Sequence, residues 1–558
     1  MMKCGWFAAA FAGICGTALA HNDHWSGASS SNFNDPLNWS TGVPNAGEWM
    51  EFSPAWSTGP SGNLLDMNVG GSAQAIYIDA FGGTGGNISI NGPGSLTLGN
   101  LGLNMNQNDA SAVSVASIAA PLVLGANQTW ALTQSSLTVS GVISGGSALT
   151  INGSGLANVT FSANNTYSGG TTVNNASLTV VRDQGLGTGS LTANNSTLTF
   201  NSNNPVLTNP SLNASTVTFT RAGGVPTLND LSMATGSTVN FVASGGPTLV
   251  DMVSDAIGSG NAINLGAATT LNLQVDAPTQ YFGVITGAGG GSLNVTTGST
   301  GELDLNGSNT YQSGTTVGPS VLVVAGNNSA LGSGPVTLNL GSALGVAPGV
   351  TVANPITVND GSTVSGYGTI APASPQGFTF QNGSVVTGGR GTLGSAAGLS
   401  VPGTLTFTNN ASLVFGANGA MQFSIMNASG VAGTDFSAIN APGSSLSITA
   451  TAGHPFTVQL VSVNPATGQT GVANFNNALA YSWTLISAGS IAGFNPNLFN
   501  VDSGSYFQNP LGGGTFNVSE FGNNLMLNFT PVPEPSTWAL MASGLGALVA
   551  AVRRRRGK

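Results

Sequence analysis

Short β-strand patterns recur through the middle of the chain at a nearly constant interval. Within each pattern, hydroxyl or amide residues alternate with apolar ones, as in Ser196–Phe200. The inward-facing candidates lie 20, 19 and 22 residues apart, at Leu178, Leu198, Val217 and Val239. A two-residue alternation inside a period near 20 is typical of one solenoid coil per unit. We therefore predict an all-β fold, a right-handed parallel β-solenoid (β-helix) over residues 61–433, with antiparallel hairpins in sandwich domains as the alternative.

The composition favours a fold in which polar groups pair with one another. Only 5% of the 558 residues are charged, whereas 41% are hydrophobic and 82 residues are glycine. Ordinary soluble domains carry about 25% charged residues, and Ser, Thr and Asn take their place here. Unpaired buried hydroxyls and amides are costly. Such a chain therefore becomes compact only where stacked strands satisfy those groups.

A longer sequence block overlies the short period. Gly141–Gly145 is followed by Asn165–Val173, and a second copy pairs Gly283–Gly287 with Asn309–Val317. These blocks resemble the autotransporter-associated β-strand repeat over residues 120–360, and the resemblance implies a β-helical passenger. The second copy has Gln-Ser-Gly where the first has Ser-Gly-Gly. No run of alternating barrel strands follows, so the resemblance does not imply self-translocation.

Residues 1–20 predict a secretory signal peptide. Lys3 precedes an apolar run from Trp6 to Ile14, and Ala18 and Ala20 form an A-x-A cleavage site. A positive start, a short apolar core and small residues at the cleavage site define such a peptide. We expect processing by signal peptidase, which leaves His21 as the first residue.

Residues 531–558 contain three parts in a fixed order. The motif Pro533-Glu534-Pro535 precedes the apolar stretch Trp538–Val552, and basic residues follow at Arg553, Arg554, Arg555 and Arg556. The apolar stretch covers about 22 Å as a helix, against about 30 Å for a bilayer core. Flanking residues and snorkelling arginines extend that reach, so we predict a C-terminal hydrophobic transmembrane helix with its arginines in the cytoplasm.

This tripartite end resembles a PEP-CTERM sorting signal. The resemblance implies processing by an exosortase, a membrane-embedded cysteine transpeptidase of Gram-negative bacteria that make exopolysaccharide. It implies export across the inner membrane, a membrane-anchored precursor, and a mature protein at the cell surface or in the extracellular matrix. The alternative is a plain C-terminal anchor whose Pro-Glu-Pro arises by chance.

The regions that flank the repeats differ from them. Four of the six tryptophans outside the leader and the tag lie in the predicted N-terminal cap, residues 21–60, at Trp25, Trp39, Trp49 and Trp56. The pattern Asn38–Asn45 resembles the head of many repeat proteins that carry this tag. Residues 434–530 contain longer alternations and predict a small C-terminal β domain. Both flanks are expected to cover solenoid ends, which otherwise expose strand edges.

Charge and cysteine placement exclude several classes of function. Between residues 21 and 530, three arginines (Arg182, Arg221 and Arg390) stand against 18 acidic residues. Nucleic-acid binding requires basic patches, so we exclude it. The two cysteines both lie in the leader, so the body has no disulfide, no thiolate metal site and no cysteine nucleophile.

Candidate metal-binding patterns are incomplete. His21, Asp23 and His24 do not match the amino-terminal copper motif, and we expect a frayed terminus there. Glu302–Gly307 resembles the start of a calcium loop, but its twelfth position is Ser313 instead of the bidentate Glu that such loops require. The leucines between its acidic residues favour a strand.

Candidate catalytic carboxylates occur in two close pairs. Glu48 lies three residues before Glu51, and Asp251 lies four residues before Asp255. Glycosidases need paired carboxylates, and lyases also need a cation and a base. Neither pair has Lys, Arg or His nearby in sequence, so solvated acidic residues are the preferred interpretation.

We therefore predict an exported, non-enzymatic surface protein with a structural or adhesin-like role. No catalytic, cofactor-binding or metal-binding residue is predicted. The expected partners are signal peptidase, exosortase, the inner membrane transiently, and exopolysaccharide or other surface glycans. The alternatives are a carbohydrate-active enzyme, which a carboxylate pair in a groove would favour, and a carbohydrate-binding protein, which a row of exposed aromatic residues would favour.

Overall fold

The computed structural model of the chain describes residues 22–53, 59, 63–78, 87–105, 115–242, 245–254, 258–287, 289–298, 301–390, 401–532 and 535–556. These residues fall into two compact units, Met1–Arg221 and Ala222–Lys558, called here the N-terminal and C-terminal units. The predicted signal peptide, residues 1–20 with Ala18 and Ala20, lies outside the described residues, as do His21, Trp56, Asp255, Pro533 and Glu534.

The N-terminal unit is built from short strands. Its elements are β1 Asn22–His24, a 3₁₀ turn Pro36–Asn38, β2 Trp49–Phe52, β3 Leu64–Asp66, β4 Gly71–Ile78, β5 Asn87–Asn91, β6 Leu96–Met105, β7 Val115–Ile118, β8 Leu122–Leu124, β9 Gln128–Leu132, β10 Ser136–Val139, β11 Ile143–Ser144, β12 Leu149–Phe161, β13 Thr171–Val180, β14 Ser190–Asn194, β15 Thr197–Phe200, β16 Val206–Asn213 and β17 Thr216–Phe219.

Parallel pairing in register places equivalent residues of successive coils above one another. Leu178 of β13 lies opposite Val159 of β12 and Leu198 of β15, and Leu198 lies opposite Val217 of β17. All four side chains are fully or almost fully buried. The predicted inward positions and the parallel solenoid are therefore confirmed, and antiparallel hairpins in sandwiches are not what these strands form.

Aromatic residues fill the first coils of the N-terminal unit. Trp25 and Trp39 pack edge to face with ring centroids 5.0 Å apart, and Phe33 and Phe52 surround them. The Trp39 indole N–H donates to the Phe33 carbonyl at 2.8 Å. Buried Asn38 accepts backbone N–H groups of the Ser29–Ser30 segment through Oδ1. Asn38 and Trp39 of the head pattern thus hold the segment from Ser29 to Phe33 in place, and its role as a cap stays a prediction.

The C-terminal unit continues with β18 Thr227–Asn229, β19 Ser232–Met233, β20 Thr238–Phe241, β21 Thr248–Val250, β22 Val253–Ser254, β23 Ala262–Leu265, β24 Thr270–Gln274, β25 Thr279–Tyr281, β26 Val284–Thr286, β27 Ser292–Thr296, β28 Gly301–Leu305, β29 Thr315–Val317, β30 Val321–Ala325, β31 Val336–Leu338, β32 Ala343–Val346, β33 Thr351–Val352, β34 Ile356–Val358, β35 Thr363–Gly366, β36 Thr369–Ile370, β37 Gly377–Phe380, β38 Val385–Gly388, β39 Thr404–Phe407, β40 Ser412–Phe415, β41 Ala420–Ile425, β42 Ala438–Ile448, β43 Phe456–Ser462, β44 Tyr481–Ala492, a 3₁₀ turn Pro496–Leu498, β45 Phe499–Tyr506, β46 Thr515–Phe521, β47 Asn524–Thr530 and helix α1 Pro535–Arg556.

One nine-stranded sheet of this unit is parallel throughout, in the order β25-β28-β30-β32-β35-β38-β41-β43-β45. Parallel pairing therefore continues past residue 433. The parallel pattern ends in a second sheet, where β47 pairs antiparallel with both β44 and β46. This hairpin lies within residues 434–530, where a small C-terminal β domain is predicted from the sequence. The predicted domain boundaries themselves stay predictions.

The longer sequence block has a hydrogen-bonding explanation. Buried Asn165 accepts the Ile143 N–H at 2.8 Å and donates to the Gly185 carbonyl at 2.6 Å. Ile143 lies 22 residues earlier and Gly185 lies 20 residues later, on the two adjacent coils. One amide therefore ties three coils together and pairs two backbone groups that would otherwise be buried without partners.

The second copy repeats this arrangement inside the C-terminal unit. Asn309 accepts the Ile285 N–H at 2.7 Å and donates to the Ala330 carbonyl at 2.6 Å. The position that adopts a left-handed backbone is glycine in both copies, but the residue before it differs. A Cβ at Gly169 would lie 2.2 Å from the Ser147 carbonyl carbon, whereas Ser313 of the second copy donates its hydroxyl to the Gly290 carbonyl at 2.8 Å. Gly170 has φ +88° and Gly314 has φ +100°.

Two further features of the block were missed in the sequence. The buried tyrosine of each copy hydrogen-bonds the threonine four residues later, Tyr167 to Thr171 at 2.5 Å and Tyr311 to Thr315 at 2.7 Å. A Leu-Gly-x-Gly segment follows on the next coil, Leu186–Gly189 in the first copy and Leu331–Gly334 in the second. A Cβ at Gly187 would lie 2.2 Å from the Tyr167 carbonyl oxygen. Glycine is therefore required at that close approach.

We predict that Asn165→Ala lowers the free energy of unfolding by about 2 to 6 kcal/mol. Two buried backbone groups would lose their partners, and each such loss costs about 1 to 3 kcal/mol. Urea titration followed by circular dichroism measures the change. The control is Asn164→Ala, which removes an exposed side chain whose bond to the Gln184 N–H is 3.4 Å long. Equal losses in the two variants would contradict this account of Asn165.

Candidate functional site

The C-terminal segment begins where the last strand ends. β47 ends at Thr530, and α1 runs from Pro535 to Arg556. Described side chains along this helix are exposed, including the apolar Met541, Leu545 and Leu548. Arg553, Arg554 and Arg555 are exposed in its last turns, and Arg556 is its final residue. The cationic side chains lie at the negative end of the helix dipole, which favours them.

The predicted hydrophobic C-terminal helix is confirmed. In the part of the chain that the structure describes, no helix has both the length and the apolar character needed to cross a membrane.

The structure corrects the expectation of a frayed terminus at His24. Asn22–His24 forms β1 and pairs in parallel with β2, where His24 lies opposite Glu51. The His24 imidazole nitrogen Nδ1 lies 3.3 Å from the Glu51 carboxylate. Asp23 is buried and accepts the Thr41 backbone N–H at 3.1 Å. Strand pairing and these polar contacts, which the sequence did not indicate, order this segment.

The structure describes three of the four carboxylates in the two pairs considered from the sequence, because Asp255 lies outside the described residues. Glu48 accepts the backbone N–H of Asn45 at 2.9 Å, whereas Glu51 faces His24. Asp251 accepts the backbone N–H of Asp276 at 2.8 Å. These carboxylates stabilise turns and a strand edge. Among the described residues, no three His, Cys, Asp or Glu side chains converge in a way that could hold a metal ion.

A different pair of carboxylates comes together on β28. Glu302 and Asp304 lie two residues apart and face outward, while Leu303 and Leu305 between and after them are buried. The alternation is that of a strand, as the leucines predicted, and no calcium loop is formed. Gln280 of the adjacent β25 donates to Asp304 Oδ2 at 3.0 Å.

Arg390 completes this carboxylate cluster (Glu302, Asp304, Gln280 and Arg390). One guanidinium nitrogen donates to both oxygens of Glu302, at 2.7 and 2.5 Å. The Glu302 side chain is 11% exposed and the Arg390 side chain 33% exposed. The two residues are 88 positions apart in sequence, and no local pattern indicated their contact. Parallel stacking brings them together across β28, β30, β32, β35 and β38.

The electrostatics of the cluster are dominated by burial. Burial raises the pKa of Glu302, which the positive charge of Arg390 partly offsets and the negative charge of Asp304 reinforces. Burial also raises the pKa of Asp304, against the hydrogen bond from Gln280 and the attraction of Arg390. Within the described residues, Asp304 Oδ1 is buried with no hydrogen-bond partner.

A groove of about 190 Å³ lies beside Arg390. Apolar side chains form most of its wall, among them Leu322, Val324 and Val346, and Tyr367 lies at its edge. Such a groove can accept an apolar or amphipathic group. Both carboxylate oxygens of Glu302 accept from the Arg390 guanidinium beside this groove.

The comparisons with known proteins identify the C-terminal segment. Residues 531–556 match the PEP-CTERM protein-sorting motif. The match covers the three parts noted in the sequence: Pro533-Glu534-Pro535, the apolar stretch and the arginines. No curated protein matches the chain. The motif indicates export and sorting by an exosortase.

We predict that Asp304→Asn stabilises the folded protein at neutral pH. Because the pKa of Asp304 is raised on folding, ionisation costs the folded state more than the unfolded state. This cost is absent below the pKa of Asp304 in the unfolded state, near 3.9, and is fully present above the pKa of Asp304 in the folded state. The variant should therefore melt above the wild type at pH 7 and at the same temperature near pH 3.

Melting curves recorded by circular dichroism between pH 3 and pH 8 test this expectation. Asparagine keeps an oxygen to accept the Gln280 bond, so the change removes charge with little loss of contact. Glu520→Gln, at an exposed position of β46, serves as the control. A pH-independent difference between Asp304→Asn and the wild type would show that packing, not ionisation, sets the effect.

Proposed function

We propose that this chain is an exported, non-catalytic scaffold protein that an exosortase system sorts to the cell surface or the extracellular matrix. The observation that carries the proposal is the PEP-CTERM motif at residues 531–556, placed directly after β47, the antiparallel strand that follows the parallel β-solenoid. The motif supplies the sorting information. The solenoid supplies a long, regular body for a structural or adhesive role.

The solenoid surface supports a scaffold that contacts glycans or neighbouring chains. Asn174 donates to Asn152 at 2.7 Å and Asn194 donates to Asn174 at 2.8 Å, which forms an amide ladder across three coils. In the C-terminal unit, Asn294 donates to Asn272 at 2.9 Å. Each amide in such a ladder keeps further hydrogen-bonding capacity. Polymers rich in hydroxyl groups can hydrogen-bond to these partly exposed asparagine ladders.

The carboxylate cluster supports a non-catalytic role. Glycoside hydrolysis uses one carboxylic acid that donates a proton and one carboxylate that attacks or activates water. Glu302 instead forms a two-oxygen contact with Arg390, with a side chain that is 11% exposed. A partly buried ion pair of this kind is costly to break. We assign the cluster to holding Arg390 against the nine-stranded sheet.

Export and sorting are tested with Glu534→Gln, expressed in a host with an exosortase and in the same host without one. In the presence of the enzyme, the wild-type chain should lose its C-terminal peptide, so that mass spectrometry finds a mature end before Trp538. The variant should keep the arginine tail, because the central acidic residue of the motif is neutralised.

Glu520→Gln is the matched control for this experiment. It removes the same charge from an exposed strand outside the motif, and its processing should equal that of the wild type. Recovery of the arginine tail on the mature wild-type protein would overturn processing by the exosortase. Equal processing of Glu534→Gln and the wild type would overturn the role of the motif.

One observation favours a carbohydrate-active enzyme as the second candidate. Glu302 and Asp304 lie on one face of β28, both with raised pKa, near a groove. Incubation of the purified chain with neutral and uronate-containing polysaccharides tests it, through reducing ends and the ultraviolet absorbance of unsaturated uronates. We expect no turnover above that of Glu302→Gln. Cleavage by the wild type that this variant loses would establish the enzyme and sink the non-catalytic proposal.

A further inference from the structure

Two of the three arginines of the body lie in one polar groove of the N-terminal unit. The groove has a volume of about 300 Å³, and its lining includes Arg182, Asp183, Ser202, Asn203 and Arg221. The chain between residues 21 and 530 carries 18 acidic residues against three arginines. Because two of those three arginines line this groove with one aspartate, the groove is locally positive on an otherwise acidic body.

The parallel strand register explains why Arg182 and Arg221, 39 positions apart in sequence, line the same groove. Val180, Phe200 and Phe219 lie opposite one another on successive parallel strands. Arg182 and Arg221 each follow their strand end by two residues, and Ser202 occupies the same position on the coil between them. Adjacent parallel strands are about 4.8 Å apart. The two guanidinium groups therefore project from turns separated by about 10 Å along the solenoid, since two strand spacings lie between them.

The turns that carry these groups are held by hydrogen bonds between coils. The Asn201 N–H donates to the Val180 carbonyl at 2.8 Å, and the Thr220 N–H donates to the Phe200 carbonyl at 3.0 Å. Asp183 accepts the Asn204 backbone N–H at 2.8 Å. Asp183 is therefore engaged in the turn, and the groove wall is ordered before any ligand arrives, which lowers the entropic cost of binding.

The donors in the groove are not neutralised by the protein. Among the described residues, neither Arg182 nor Arg221 has a carboxylate within 4.0 Å. Arg221 donates through Nε to Asn203 at 3.0 Å, which orients its guanidinium group. The Ser202 side chain is 7% exposed, and in the described part of the chain its hydroxyl has no hydrogen-bond partner.

We propose that this groove, the Arg182–Arg221 groove, binds a saccharide that carries oxyanion groups. Two guanidinium groups pair with carboxylate or sulfate oxygens through charge-assisted hydrogen bonds. Ser202 and Asn203 between them supply a hydroxyl and an amide for sugar hydroxyls. The groove lines up these donors along the solenoid axis, as a linear polymer requires. This site rests on the glycan contact in the proposed function and names its place and ligand class, whereas binding here does not depend on sorting, so the two can fail separately.

Isothermal titration of the purified full-length chain tests the proposal with four probes: oligomers of polygalacturonate, dextran sulfate, neutral dextran and sodium acetate. We expect binding to the polygalacturonate or the sulfate polymer, and the pair distinguishes carboxylate from sulfate as the preferred group. Arg182→Gln and Arg221→Gln should each weaken that binding about tenfold, because each removes a charge-assisted hydrogen bond. The double variant should lose it.

The matched control is Gln469→Glu, which changes the net charge by the same amount at an exposed position of the other unit. Its affinity should stay within twofold of the wild type. The proposal is overturned if the wild type binds neither anionic polymer, if neutral dextran binds as tightly, or if acetate alone competes as well as the polymer. It is equally overturned if the double variant retains wild-type affinity or if the control loses as much.

Discussion

The requirement that buried backbone groups find hydrogen-bond partners governs this structure. Asn165 illustrates it, because its one amide serves the backbone of the coil before and the coil after. A helix or an antiparallel hairpin satisfies its backbone within a short stretch of chain. A parallel coil cannot, since each strand depends on a neighbour about 20 residues away. Ser, Thr and Asn side chains hydrogen-bond the backbone groups that strand pairing leaves without partners at the turns.

The fold was predictable because its two strongest signals are periodic. The positions of Leu178, Leu198 and Val217 follow from alternation and spacing alone, and all three are buried in register. The inward direction of Asn165 was not predictable, because an asparagine in a turn is more often solvated. What revealed its importance was the recurrence of the whole block at Asn309, and hydrogen bonds of the same kind explain that recurrence.

The site chemistry was much less accessible to sequence reasoning. Pairs were sought among residues close in sequence, such as Glu48 and Glu51, whereas the solenoid joins residues by register. Glu302 and Arg390 pair across several coils, and Arg182 and Arg221 line one groove from turns two strand spacings apart. A scan for charged residues that occupy equivalent positions of successive coils would have found the second pair. It would not have found the first, because Arg390 follows β38 outside the regular period.

The position of the tag relative to the fold bears on whether it can be removed without loss of structure. β47 ends at Thr530 and obtains its partners from β44 and β46, so the last sheet is complete before the sorting motif begins. The described side chains of α1 from Met541 to Arg555 are exposed and contribute no buried surface to the body. Cleavage after the motif would therefore remove no strand of this last sheet. A sorting tag that is removed must leave a stable body behind. Here the β46–β47 hairpin ends the body, and the sorting motif begins only after it.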